Sequence, residues 1–187
     1  MKRMYTLGII LALSWMVGSC GKSEEQEGAA KGARVAAPAA SVAWLGVNEG
    51  LKRGRETGRP IVLNFYADWC GWCRKMDTEV YGDRDVVSAL EKGYVPVQVR
   101  TDRDAGEVIR FKNHTVTLRE FAMMLGVQGL PTVIFLESNG DIITKIPGYI
   151  EKPMFLSLLG YIGEKCYAMN VSFEEYSRGG APCGRGK

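Results

Sequence analysis

Apolar positions along the chain alternate between a helical period and short continuous runs. Val42, Trp44, Leu45, Val47 and Leu51 recur at helical spacing within SVAWLGVNEGLKRGRETG, with Ser41 as a candidate cap, so a first helix is predicted there. PIVLNFYA at 60–67 is nearly all apolar, the pattern of a strand buried on both faces. Residues 70–80 return to the helical pattern, and DRDVVSALEKG at 83–93 predicts a further helix closed by Gly93. YVPVQVRTD at 94–102 is β-branched and predicts a second buried strand. The stretch RDAGEVIRFKNHT is polar at first, then alternates, and reads as an insertion carrying a small hairpin. TLREFAMMLG follows, with Thr117 and Glu120 in capping-box register and Gly126 just past its end. TVIFLES and IITKIPGY flank the turn NGD and predict a strand hairpin. EKPMFLSLLGYIGEKCYAM is predicted as one amphipathic helix whose Tyr, Phe and Met side chains belong to the core, and the tail after Asn170 is expected to be loosely structured.

The predicted order is therefore α, β, α, β, α, β, β, α, with no repeat. A helix between the first two strands makes them parallel, and the tight NGD turn makes the last two antiparallel. The expected fold class is α/β, a mixed central sheet with helices on both faces. A chain of 187 residues holds one such domain with something left over.

The excess lies at the ends. Lys2 and Arg3 precede an uncharged stretch from Met4 to Ser19, the order of a secretory signal and short for a permanent span. VGSC resembles the lipobox of bacterial lipoproteins, which implies that Cys20 is lipidated and becomes the new N-terminus. Residues 21–40 are rich in Gly, Ala, Glu and Lys without an aromatic residue, and read as a tether. The expected organisation is a signal peptide at 1–19, the lipidated cysteine and tether at 20–40, the folded domain at 41–165 and a tail at 166–187. Export places the remaining cysteines on the periplasmic side, where disulfides persist. The formal net charge is +3, of which Lys2 and Arg3 supply two, so no electrostatic case for nucleic acid survives. Lys52, Arg53, Arg55 and Arg59 read as the solvated face of the first helix.

The chemistry is concentrated in YADWCGWCRKM, residues 66–76. Cys70 follows a buried strand and opens a helix, where unpaired N–H groups and the macrodipole favour a thiolate. Arg74 and Lys75 in the next turn add positive potential. Cys73 lies one turn along the same face, within reach of a mixed disulfide on Cys70. These positions make Cys70 the nucleophile, expected to be exposed, and Cys73 the shielded resolving thiol. A zinc site needs two further ligands, and the chain offers only His114, Cys166 and Cys183 without a second CxxC. Haem attachment requires histidine where Arg74 stands. Redox chemistry is thus the leading reading, ahead of a purely structural disulfide, and no metal or other cofactor is called for.

WCGWC after an apolar strand, followed by GLPT at 129–132 before a strand hairpin, resembles the thioredoxin family over roughly residues 41–165. The wording DWCGWCRKM and the insertion after Asp102 are most similar to exported members, the SoxW-like proteins and the C-terminal domain of DsbD-type transporters. The resemblance implies a thioredoxin-like fold, a redox-active Cys70–Cys73 pair, and a cis Pro131 beside the cysteines. It also implies that the Leu130 backbone pairs with a bound substrate strand. Trp69 and Trp72 are candidate client-binding residues, with shielding of the disulfide and a surface cap on the domain equally open for Trp72. Two departures stand out. Asn64 occupies the position of the buried aspartate that helps move the resolving thiol's proton, which makes Asp68 a candidate substitute base. The dipeptide between the cysteines is Gly-Trp rather than Gly-Pro. Cys166 and Cys183 are expected to form a local disulfide pinning the tail.

The function implied is that of a membrane-tethered, extracytoplasmic thiol–disulfide oxidoreductase. Leu130 before the proline and the lack of histidine in the CxxC lean toward reduction of protein disulfides, with a DsbD- or CcdA-type membrane protein as electron donor. The alternatives are an oxidase or isomerase, or a copper chaperone on the same fold. Copper carriers of the SCO type use a wider cysteine spacing and a downstream histidine, whereas His114 precedes Pro131.

Overall fold

Strand β1 (Ile61–Tyr66) runs through the middle of a four-stranded sheet of order β2–β1–β5–β6 in the computed structural model, which describes residues 41–103, 106–179 and 183. It pairs in parallel with β2 (Val95–Arg100) and antiparallel with β5 (Thr132–Leu136), and β6 (Ile142–Pro147) closes the order. The crossover between β1 and β2 carries α2 (Gly71–Met76) and α3 (Arg84–Gly93), as a parallel pair requires. The mixed sheet expected from the pattern is the one found.

Alternation along the strands sorts the core into two layers. Val62, Val133 and Phe135 face one way and pack with Met76, Val80, Val86, Leu90, Phe155 and Leu159. Ile61, Leu63, Phe65, Ile134 and Leu136 face the other way and pack with Val47, Leu51, Ile109 and Phe121. The second layer is covered by α1 (Val47–Thr57), by the hairpin β3 (Val108–Phe111) and β4 (His114–Thr117), and by α4 (Leu118–Met124). Asn48 ties the hairpin to α1, accepting the Arg110 N–H at 2.9 Å and donating to the Val108 carbonyl at 2.8 Å. The capping box on α4 is formed by Thr117 and Glu120, and Gly126 follows at φ 65°.

Three elements differ from expectation. The first helix starts at Val47, not Ser41, with Gly46 at its N-cap. The preceding residues are extended: Leu45 bridges Val97, its N–H donating to Pro96 O and its carbonyl accepting the Gln98 N–H. Leu45 thus serves the β2 edge and Val42 is buried in the first core layer, roles whose spacing mimics a helix over so few positions. The C-terminal helix, α5 (Lys152–Gly163), stops before the predicted end, because Lys165 takes a left-handed φ of 56° and a 3-10 turn, Cys166–Met169, follows. Loose structure was expected in the tail, but among its described residues a helix forms: α6 (Phe173–Ser177), capped by Ser172, lays Phe173 and Tyr176 against Tyr161 of α5, with ring centroids 5.5 Å apart in both pairs. Met154 and Met169, assigned to the core from sequence, are 53% and 52% exposed. The expected signal segment, the expected lipidation site Cys20 and the expected tether lie outside the described residues.

Candidate redox site

β1 delivers the chain to the site and then stops. The linking residues Ala67–Trp69 are held from the end of β2 by hydrogen bonds. The Asp102 carboxylate accepts the Asp68 N–H at 2.8 Å and Arg100 Nε at 2.9 Å, and Thr101 N–H donates to Tyr66 O at 2.9 Å. From the helix side, Arg74 Nη1 donates to the Asp68 carbonyl at 2.7 Å. The Asp68 carboxylate pairs with Arg100 and, at 3.6 Å, with Arg103. The contacts of that carboxylate are thus to two guanidinium groups at and just past the end of β2.

Cys70 is the N-cap of α2 and its Sγ accepts the Cys73 N–H at 3.1 Å. A sulfur that already receives a backbone donor at a helix start is set up to carry negative charge. The two cysteines are joined as a disulfide, with Cα atoms 5.3 Å apart. Both are nearly covered, Cys70 at 4% and Cys73 at 3% exposure, which corrects the expectation that Cys70 is open to solvent. The cap geometry turns its sulfur back over the first turn, and Ala67, Tyr66 and Leu130 pack around the pair.

The second loop of the site comes from the start of β5. The Leu130–Pro131 bond is cis, Thr132 Oγ1 donates to the Gly129 carbonyl at 2.7 Å, and Gly148 N–H donates to Pro131 O at 2.8 Å. Leu130 therefore stands against the cysteines and also borders a groove of about 380 Å³, lined as well by Trp69, Leu118, Ala122, Met123 and Val127. Trp69 and Trp72 are 72% and 59% exposed, an apolar surface beside a reactive pair. Asn64 is buried on β1, on the same strand face as Val62, where Met76 of α2 packs.

Trp72 packs 5.7 Å from the Tyr149 ring, and Lys75 Nζ lies 5.2 Å and 4.9 Å from the two ring centroids. The Tyr149 hydroxyl donates to Glu79 Oε2 at 2.6 Å; that bond to a carboxylate pushes its pKa up to about 12. Neither Tyr149 nor Asp102 carries a motif. Each reaches the site across the fold, and only the contact identifies it. Cys166 and Cys183 are bonded to each other, the first fully buried, within the tail and apart from the Cys70 elements. Among the described residues, no cluster of three His, Cys, Asp or Glu side chains is placed to hold a metal ion.

The comparisons agree with this geometry. A family model described as a thioredoxin-like domain matches residues 47–163. The thiol:disulfide interchange protein DsbD of Cronobacter sakazakii is 29% identical over 104 residues, 54% of this chain and 16% of that protein. The protein of the same name from Ralstonia nicotianae is 29% identical over 114 residues, covering 60% of this chain and 17% of its own length. The chain thus spans about a sixth of the length of these relatives. Among solved structures, a thioredoxin from Thermus thermophilus superposes with a TM-score of 0.57 at 25% identity, covering 71% of this chain and 95% of that one. A thioredoxin-fold protein from Helicobacter pylori gives a TM-score of 0.53 at 20% identity, over 65% and 80% of the two chains. A disulfide at a strand–helix junction, a neighbouring cis proline and a matching family model together place the chain in the thioredoxin-like family.

Proposed function

We propose that this thiol–disulfide oxidoreductase reduces protein disulfides on the outer side of a bacterial membrane, to which Cys20 tethers it. The reading rests on one observation above others: Cys70, at a helix cap, accepts the N–H of the cysteine to which it is bonded. In the reduced enzyme the Cys70 thiolate attacks one sulfur of a client disulfide, forming a mixed disulfide and releasing the other client sulfur as a thiolate. Cys73, deprotonated, then attacks Cys70 Sγ, closing the Cys70–Cys73 disulfide and releasing the second client thiolate. Both client thiolates take up protons, and two electrons have passed from enzyme to client. A dithiol donor must then restore the enzyme. The partial likeness to DsbD supports a membrane protein of DsbD or CcdA type in that role.

Reduction is favoured over oxidation because neither residue between the cysteines, Gly71 or Trp72, is a cation that would stabilise the reduced thiolate. The test is the potential of the Cys70–Cys73 pair in glutathione buffers. A value near the −270 mV of thioredoxin is expected, and one near the −120 mV of DsbA would make the protein an oxidant, about 7 kcal/mol away on the two-electron scale. For the tether, Cys20→Ala is expected to release the protein from the membrane fraction or leave it unprocessed. Normal processing with unchanged membrane association would remove the lipoprotein assignment.

A further inference from the structure

The loop between β6 and α5 touches both halves of the redox site. Gly148 binds the Pro131 carbonyl, and the next residue, Tyr149, packs on Trp72, the residue between Gly71 and Cys73. Lys75 stands over both rings, and Glu79 accepts the Tyr149 hydroxyl while pairing with Lys75 at 3.9 Å. Each contact is modest by itself, but two neighbours, Tyr149 and Lys75, meet an otherwise exposed indole, and Glu79 binds both of them. Trp69, on the other side of Cys70 in sequence, borders the open groove along α4 instead. The two exposed indoles beside the disulfide are thus held differently.

We infer that Tyr149 is a specificity-determining positioning residue. It fixes Trp72 relative to the Leu130–Pro131 segment, so that Trp72 forms one wall of the cleft through which an extended protein segment reaches Cys70. This rests on the oxidoreductase reading of the cysteine pair. Both cysteines are almost covered, so what flanks them decides which disulfides approach. An indole already held in one orientation need not be ordered anew at each encounter, which favours clients that bind by contact over small disulfides that do not.

Two measurements on the full-length reduced protein test the inference. The first needs no turnover: the rates at which a bulky maleimide and iodoacetamide label Cys70 are compared. Tyr149→Leu is expected to raise the bulky-to-small ratio about fivefold or more, the order of effect of losing an aromatic pair, while Tyr149→Phe stays at the wild-type ratio. Trp72→Ala added to Tyr149→Leu is expected to add little, because both remove the same wall. A ratio in Tyr149→Leu within twofold of wild type, or an equal change in Tyr149→Phe, overturns the proposal. The second is insulin reduction with dithiothreitol as electron source. Tyr149→Leu is expected to raise KM for insulin with kcat unchanged, and a fall in kcat at constant KM overturns client positioning. A wild-type protein that fails to reduce insulin while its labelling ratio responds to Tyr149→Leu sinks the reductase reading and leaves the placing of Trp72 standing.

Discussion

Cys73 is the residue whose loss is expected to separate attack from release. Its N–H serves the Cys70 sulfur through the backbone, so Cys73→Ser keeps that donor and removes only the resolving thiol. Clients are expected to accumulate as mixed disulfides on Cys70 in this variant, visible as higher-mass species that vanish under reductant. Cys70→Ser should lose both turnover and trapping, and trapping through Cys73 would reverse the assignment of roles. In the reduced enzyme Cys70 should also be alkylated first, with a pKa below the free-thiol value of about 8.5. The pair itself is legible in the sequence because CxxC after a strand is a local pattern. The coverage of Cys70 was not, because Leu130 arrives from sixty residues further along the chain, at a contact that spacing does not encode. The same limit hid Asp102, which anchors the loop before the nucleophile, and Tyr149.

At the scale of elements, strands and capped helices were readable and irregular joints were not. Two-sided burial makes β1 and β5 continuous apolar runs, and reciprocal Thr117–Glu120 bonding marks α4. The extended residues before α1 and the break at Lys165 follow from pairing with β2 and from the buried Cys166, neither of which has a period. Asp83 shows how a cap couples elements. Its carboxylate accepts the Asp85 and Val86 N–H groups at the start of α3 and the Lys152 ammonium at 2.9 Å from the start of α5. The Lys152 hydrogen bond, first among the causes, lowers the Asp83 pKa, and Asp83 raises that of Lys152. Because the folded-state value is depressed, the stability Asp83 contributes is present above its unfolded pKa of about 3.9 and is lost as pH falls through the lower folded value. Asp83→Asn keeps a capping side chain without the charge. It is expected to be less stable than wild type to urea at neutral pH, with the difference closing as pH falls through the depressed folded-state value of Asp83. A constant difference across that range would show that the charge is not what matters.

Two glycines of α1 make a second test at this scale. A Cβ on Gly50 would collide with Val97 Cγ2, and one on Gly54 would collide less severely with Ile61, at 2.5 Å from Cδ1 and 2.7 Å from Cγ1; both neighbours are β-branched and buried. Alanine gains up to about 1 kcal/mol over glycine in a helix, and overpacking costs about 1–3 kcal/mol. Both substitutions are therefore expected to be destabilising, Gly50→Ala more so than Gly54→Ala, read from urea midpoints. Equal effects would mean that α1 is free to lift from the sheet.

For the whole molecule, the question is what the second disulfide does for a domain whose chemistry lies elsewhere. Cys166 and Cys183 are 17 residues apart in sequence, and between them α6 docks its aromatic side chains on α5. The Tyr161 hydroxyl donates to the Val171 carbonyl at 2.7 Å, and Gly160 leaves room for the Tyr176 hydroxyl, so the tail is packed as well as bonded. In the chain-entropy picture a loop of this size stabilises by about 3 kcal/mol, through restriction of the unfolded chain. That contribution belongs to folding and not to exchange, since α5 and the tail supply neither cysteine of the reactive pair nor the Leu130 loop. Replacing Cys166 and Cys183 together with Ala is expected to lower the unfolding free energy by roughly that amount in urea titrations. The potential of the Cys70–Cys73 pair and the alkylation rate of Cys70 should stay at their wild-type values. A shift in that potential would show that the tail disulfide communicates with the redox site, and an unchanged stability would mean that packing on Tyr161 alone holds the tail.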